Sequence, residues 1–257
     1  MSRDAASRTG ALIRHNTILL LREPGPLIGR LILPLAFLLL LHPLYEAAQG
    51  QRGGATQAVI ATLVTFSLLA LSLVGGSILT DRIWHTWERV RATAVRPVEL
   101  ITGKAVPVLA ALLAQQLLVI GFGVTVLGLA VAAPRPLGVA LLGAALLAWT
   151  LALLALGAML GVLARSLSEL SAAYDIGAML LSSLGGALVP LAAMPQWVRH
   201  VAPVSPGYWA VAALHGALRG DTGRTLAACA ALLGFALAAG LVTVLRASRG
   251  WGRSARL

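Results

Sequence analysis

The sequence predicts an all-α membrane protein with six transmembrane helices, and three observations carry that prediction. Of its 257 residues, 58% are hydrophobic and 11% charged, and the mean hydropathy is +0.87. That is too apolar for a soluble domain of this size, so lipid must solvate much of the chain. Six segments reach the roughly 20 apolar residues needed to cross a bilayer. They lie at about Pro26–Tyr45 and within Gly53–Thr80, Ala105–Pro134, Pro136–Ala164, Ile176–Val198 and Thr225–Leu245. A charged island, Asp81 to Lys104, separates two of these segments and must sit in water. The apolar runs are rich in Leu and Ala and do not alternate, which excludes strands.

Orientation follows from the basic residues. An even number of spans puts both termini on one side, together with the island. That side holds fifteen of the 20 Lys and Arg, including Arg3, Arg8, Arg14, Arg22, Arg30, Lys104 and the arginines of the tail. The opposite side keeps Arg52, Arg135, Arg199, Arg219 and Arg224. The bias places both termini in the cytoplasm. The net charge of +11 is thus chiefly a topology signal, with attraction to anionic lipid added. No basic domain stands outside the membrane, so nucleic acid is not an expected partner. The single cysteine, Cys229, excludes an intrachain disulfide and a cysteine-based metal cluster. No cleavable signal peptide is expected, because Arg3, Asp4, Arg8 and Arg14 come first. Nearly all the cations are arginine, which fits a bacterium of high GC content and hence its inner or plasma membrane.

Residues 1–257 read as a single transmembrane domain. Residues 11–22, ALIRHNTILLLR, form an expected interfacial helix, with Leu12, Ile13, Leu19 and Leu20 toward lipid. Glu23-Pro24-Gly25-Pro26 separates it from the first span. Residues 194–224 form a long outer connection with three prolines and the aromatics Trp197, Tyr208 and Trp209. Gln196–Val201 and Gly207–Leu218 are too short to cross alone, so a re-entrant or interfacial helical hairpin is expected. In the island, Asp81 is placed to cap a helix. Ile83, Trp87, Val90 and Ala94 share one apolar stripe, and Pro97 ends that helix and begins another. Charges of both signs around the stripe favour a protein partner over a lipid surface.

The run Thr86 to Lys104, TWERVRATAVRPVELITGK, resembles the cytoplasmic-loop signature of type-2 ATP-binding-cassette (ABC) permeases, in particular drug and antibiotic exporters. Thr86, Glu88, Arg89, Ala92, Thr93, Val95, Glu99, Gly103 and Lys104 match it. Trp87 and Ala94 depart from it, standing where leucine and proline are frequent. Met194 to Leu218 resembles the family's late segment. The resemblance implies that the island is a coupling helix seated in a separate ATPase subunit, with Ile83, Trp87, Glu88, Arg89, Arg91, Thr93 and Glu99 as coupling residues. It implies two ATPase copies and a second permease, either the same chain or a relative. This chain has no G-x-x-x-x-G-K-[ST] loop, so ATP and its magnesium are expected on the partner and no cofactor on this chain. The cargo implied is a hydrophobic or amphiphilic molecule leaving the cytoplasm.

The substrate path is less sharply drawn. Thr62, Thr65 and Ser72 on the second span, and Gln115 and Gln116 on the third, are candidates for lining it; close helix packing is the alternative for each. Gly157 and Gly161 read as internal packing. Asp175 is expected at the cytoplasmic interface, paired with Arg165 or a loop arginine, or else in substrate or proton handling. His42 reads as interfacial. Two other functions remain open: a permease-like assembly factor for haem or cytochrome maturation, and a membrane-embedded enzyme suggested by Gly75-Gly76-Ser77. The enzyme lacks the glycine after the serine and any histidine in the later spans.

Overall fold

The computed structural model describes residues 3–22, 24–69, 71–84 and 97–248. Within the island, Trp87, Glu88, Val90 and the residues up to Arg96 lie outside the described residues. Nine helices, joined by turns and two short 3₁₀ segments, make up what is described, and no strand occurs among the described residues.

Helix α1 spans Arg3–Arg22, eight residues earlier than the sequence suggests. It does not present all its leucines to lipid. It packs along α4 (Pro97–Val126), with Leu12 against Gly103, where a Cβ would come within 2.7 Å of the leucine Cβ. Asn16 Nδ2 donates to Gly103 O at 3.2 Å. Leu19 and Leu21 remain exposed. This contact with α4 explains the longer helix, because an isolated amphipathic segment of this length is marginal.

Helix α2, Pro24–Leu69, is two arms joined at Gly50, whose φ of 74° and ψ of 169° are not helical. The chain reverses there. Phe37 and Phe66 meet edge to face at 5.3 Å between ring centroids, and Gly54 lies against the backbone of Glu46. Eight residues apart on one straight helix, those two would be about 12 Å apart along its axis. A positive φ is open to glycine and strained for other residues, which places glycine at the apex. After α2, α3 (Leu71–Ile83) runs on through Asp81. Asp81 is therefore not a helix cap; its side chain is taken by Lys104, as shown below.

Helix α4 starts at Pro97, where the ring's missing N–H leaves nothing unsatisfied. An irregular turn, pinned by Ala132 N donating to Leu218 O at 2.8 Å, leads into α5 (Arg135–Leu163). Helix α5 is the hub. It contacts α3, α4, α8 (Pro206–Arg219) and α9 (Thr222–Ser248), and it carries the fully buried Trp149.

The fifth apolar segment departs from its predicted bounds. Helix α6 covers Leu167–Leu184, beginning nine residues early and ending well short of Val198. The Ser166 hydroxyl accepts from Glu169 N at 3.1 Å and fixes the start. Gly185 and Gly186, the latter at φ 79°, end the helix. Asp175 consequently stands mid-helix and exposed, and it makes no ion pair among the described residues; Arg165 meets Glu169 through its backbone N–H instead. Beyond Pro190 come α7 (Gln196–Val201) and α8, which is capped by Ser205 and closed by Gly220 in the left-handed region.

Among the described residues four stretches are long and apolar enough to cross a membrane: Ile28–Ile83, Glu99–Val126, Arg135–Leu163 and Thr222–Arg246. The first is the one that doubles back at Gly50. Leu40, Val139 and Leu237, each more than 70% exposed, face outward from the bundle. Water would penalise such a surface, and lipid does not. The chain is thus an all-α membrane protein.

Helices α3 and α5 approach until their backbones touch. A Cβ on Gly161 would lie 2.6 Å from Gly75 O, and one on Gly157 2.9 Å from Leu71 O. A Cβ on Gly75 would collide with the Tyr174 hydroxyl. Small residues are what permit such contact in lipid; of Gly75-Gly76-Ser77 it is Gly75 that makes it, while Gly76 has nothing within 4 Å of a Cβ. Gly161→Val should cost about 3 kcal/mol by overpacking and abolish the monodisperse peak in size-exclusion chromatography. Gly143→Ala, with nothing within 4 Å of the new methyl, should leave that peak unchanged.

Candidate coupling site

The two chain ends that flank the island are fastened to the bundle by charged side chains. Lys104 Nζ, on α4, meets Asp81 Oδ2 at 2.6 Å and Ser77 O at 2.8 Å, both on α3. The lysine is 9% exposed. In so dry a place an ammonium needs its carboxylate and its hydrogen bonds together. Arg82, one residue along, sends Nη1 to the carbonyls of Gly161, Val162 and Ala164 at 3.2, 3.1 and 2.9 Å. Those are the free carbonyls at the end of α5, the negative pole of its dipole, so a cation caps them in both senses. On the other flank, Glu99 in the first turn of α4 accepts from Arg8 Nε and Nη2 of α1, each at 3.4 Å.

These contacts draw α3, α4, α5 and α1 together into one platform. Ile83 and Trp84 stand at its edge, 42% and 73% exposed. Of the predicted coupling residues, Ile83 is thus accessible, and Glu99 is buried and bound to Arg8. Trp87, Glu88, Arg89, Arg91 and Thr93 lie outside the described residues. Sequence reasoning missed Arg8, Asp81, Arg82 and Lys104 as a set. The available signal was the repeated pairing of opposite charges at both edges of one island.

The predicted pathway residues separate. Gln116 is fully buried, donating to Ser67 Oγ at 3.2 Å and accepting from Thr150 at 3.1 Å, which clasps α2, α4 and α5 together. Thr62 and Thr65 are buried in the core, with hydroxyls that find no partner. Neither lines any of the three described cavities. Gln115, one residue from Gln116 and so about 100° around the helix, lines a cavity of about 330 Å³ between α1, α2, α3 and α4. Ser72 Oγ accepts from Arg30 Nη2 at 3.4 Å, and Arg30 lines that cavity. A second cavity of about 390 Å³, almost wholly apolar, lies between α3, α4, α5 and α9.

The opposite end of the bundle has its own ties. Tyr45 Oη donates to Leu188 O at 2.6 Å, and Gln57 Nε2 to Ala187 O at 2.6 Å. A small cavity there has Gln57, Tyr208, His215 and Arg224 in its lining, beside apolar residues. His42 lies nearby in sequence, its Nδ1 at 3.7 Å from Glu46 and its Nε2 buried without a partner. No group of three or more His, Cys, Asp or Glu arranged for a metal occurs among the described residues.

Two measurements test these ends. Lys104→Met strands Asp81 and should lower stability by about 2 kcal/mol, read as thermal unfolding of the purified protein; adding Asp81→Asn should recover more than half of the loss. At the other end, burial first, and then Arg219 and Arg224, hold the His215 imidazole down to about 4. Below its ordinary value of 6.5 the unfolded chain takes up a proton that the folded chain refuses. Thermal stability should therefore fall as pH drops from 6.5 and level off near 4, and His215→Gln should remove that slope.

The comparison with known families falls on this same architecture. The family model described as ABC-2 type transporter matches residues 7–218, from α1 through α8. No curated protein matches the chain in sequence. A match over most of the chain, on an all-helical membrane fold, identifies it: this protein belongs to the ABC-2 type transporter family and is a transporter permease component.

Proposed function

We propose that the chain is the permease half of an ATP-driven exporter that moves a hydrophobic or amphiphilic molecule out of the cytoplasm. ATP binds and is hydrolysed on a separate subunit, two copies per complex, beneath a pair of permeases. The observation that carries this reading is the platform built by Arg8, Asp81, Arg82, Glu99 and Lys104. A loop that receives force must be anchored on stiff elements, or the motion dissipates within the loop itself. Here both flanks are fixed within four residues of α3 or eight of α4, by Asp81–Lys104, by Arg82 on the end of α5 and by Glu99–Arg8. A push on the loop is thereby delivered to four helices at once.

The apolar interior supports the cargo class. The two large cavities are lined almost entirely by carbon, which suits a drug, antibiotic or lipid-like molecule and not a hydrated ion. The same contacts support a topology of six spans. Arg8, Asp81, Arg82, Lys104 and the end of α5 cluster at one end, and Tyr45, Gln57, Leu188, Ala132 and Gly220 at the other. This grouping agrees with the cytoplasmic and outer sets expected from the distribution of arginine and supports the reading that both termini lie inside.

Co-expression with a candidate ABC ATPase subunit, purification and reconstitution test the proposal. The complex should copurify, and cargo should stimulate its ATPase. Trp87→Ala or Glu88→Ala should reduce transport about tenfold with expression and complex assembly intact. A chain that copurifies with no ATPase, or transport unchanged in both variants, would sink the coupling assignment.

A further inference from the structure

The apolar cavity between α1, α2, α3 and α4 contains one cation. Arg30 stands on α2 inside an otherwise uncharged stretch, and its Nη2 reaches Ser72 Oγ at 3.4 Å. That weak bond uses one of five N–H donors. No carboxylate lines the cavity, and Arg30 makes no ion pair with any described residue. Gln115 contributes an amide from the facing wall, and Leu20, Leu21, Leu31 and Ala111 supply hydrocarbon. Helix α1 covers one side of the cavity that Arg30 lines. At about 330 Å³ the volume falls in the range of pockets that enclose small ligands, about 300–1,000 Å³.

Among the described residues two other cations withdrawn from water are matched. Lys104 has Asp81 and Ser77 O, and Arg82 has three carbonyls. Arg30 departs from that pattern. An ionisable group held in the apolar layer calls for a partner of opposite charge, and a guanidinium fork fits the oxygens of a phosphate or carboxylate. We infer that the cavity binds an anionic amphiphile, its phosphate or carboxylate head on Arg30 beside Gln115 and its hydrocarbon chain along Leu20, Leu21, Leu31 and Ala111. This rests on the export reading for its biological sense, where it narrows the cargo to amphiphiles with a negative head. The binding itself does not require that reading.

The test uses the full chain in phosphatidylcholine nanodiscs, with a photoactivatable dodecyl phosphate and the matching dodecanol as neutral probe, and with labelled peptides mapped by mass spectrometry. The phosphate probe should label the segments around Leu20 and Ala111 at least tenfold more than dodecanol does. Arg30→Gln should remove that preference, Arg30→Lys should retain most of it, and Arg14→Gln, an exposed position on α1, should leave it unchanged. Adding phosphatidylglycerol to the nanodisc separates two sources of the same chemistry. Loss of labelling marks a resident membrane lipid, and persistence marks a free amphiphile; both agree with the assignment. Equal labelling by the two probes, or full labelling of Arg30→Gln in protein that elutes as the wild type does, would overturn it. Intact labelling alongside absent transport would count against the export reading alone.

Discussion

Lipid offers no hydrogen bonds, so a charge or an open helix end that this chain carries into its apolar part calls for a polar partner brought there by the chain or by a ligand. That constraint organises the end of the bundle where the island emerges. Arg82 answers the open carbonyls of α5, Asp81 answers Lys104, and Glu99 answers Arg8. Each pair joins elements that sequence separates, and together they decide which helices share a platform. The close backbone contact of Gly75 with Gly157 and Gly161 is the apolar counterpart. It brings α3 near enough to α5 for Arg82 to reach the carbonyls at all.

Stiffness at that end contrasts with the space above it. The two large cavities both border α3 and α4, the helices that carry the island's flanks. A displacement of either helix therefore changes the walls of both. Gln116, clasped between Ser67 and Thr150, limits how far α4 can slide against α2 and α5, since sliding would break buried hydrogen bonds whose partners find no replacement in lipid.

Much of the fold was legible in the residues, and the exceptions have physical reasons. Apolar length gave the spans on α4, α5 and α9, and Pro97 gave the start of α4, because these signals are local. The early start of α6 depends on a Ser166 cap three residues from Glu169, a signal present in the chain but outweighed by hydropathy, which placed the span after Asp175. The partners of Glu99 and Asp81 lie 91 and 23 positions away, and no periodicity reveals such distances. Gln115 and Gln116 looked alike as neighbours. One helical step sends the first to a cavity and the second to a closed clasp. Arg30 entered the topology count as one basic residue among many, although its isolation within an apolar run already set it apart.

The reversal at Gly50 has a bearing on biosynthesis. The arms of α2 are held to each other by Phe37 against Phe66 and by Gly54 against Glu46, with only a short polar apex between them. Two helices so closely joined partition from the translocation channel into lipid as a unit, the first arm sheltering the second while later helices are still being made. The buried threonines of the second arm, Thr62 and Thr65, would then meet protein on one side before the rest of the core arrives, and the earliest intermediate in assembly already contains part of the final interior.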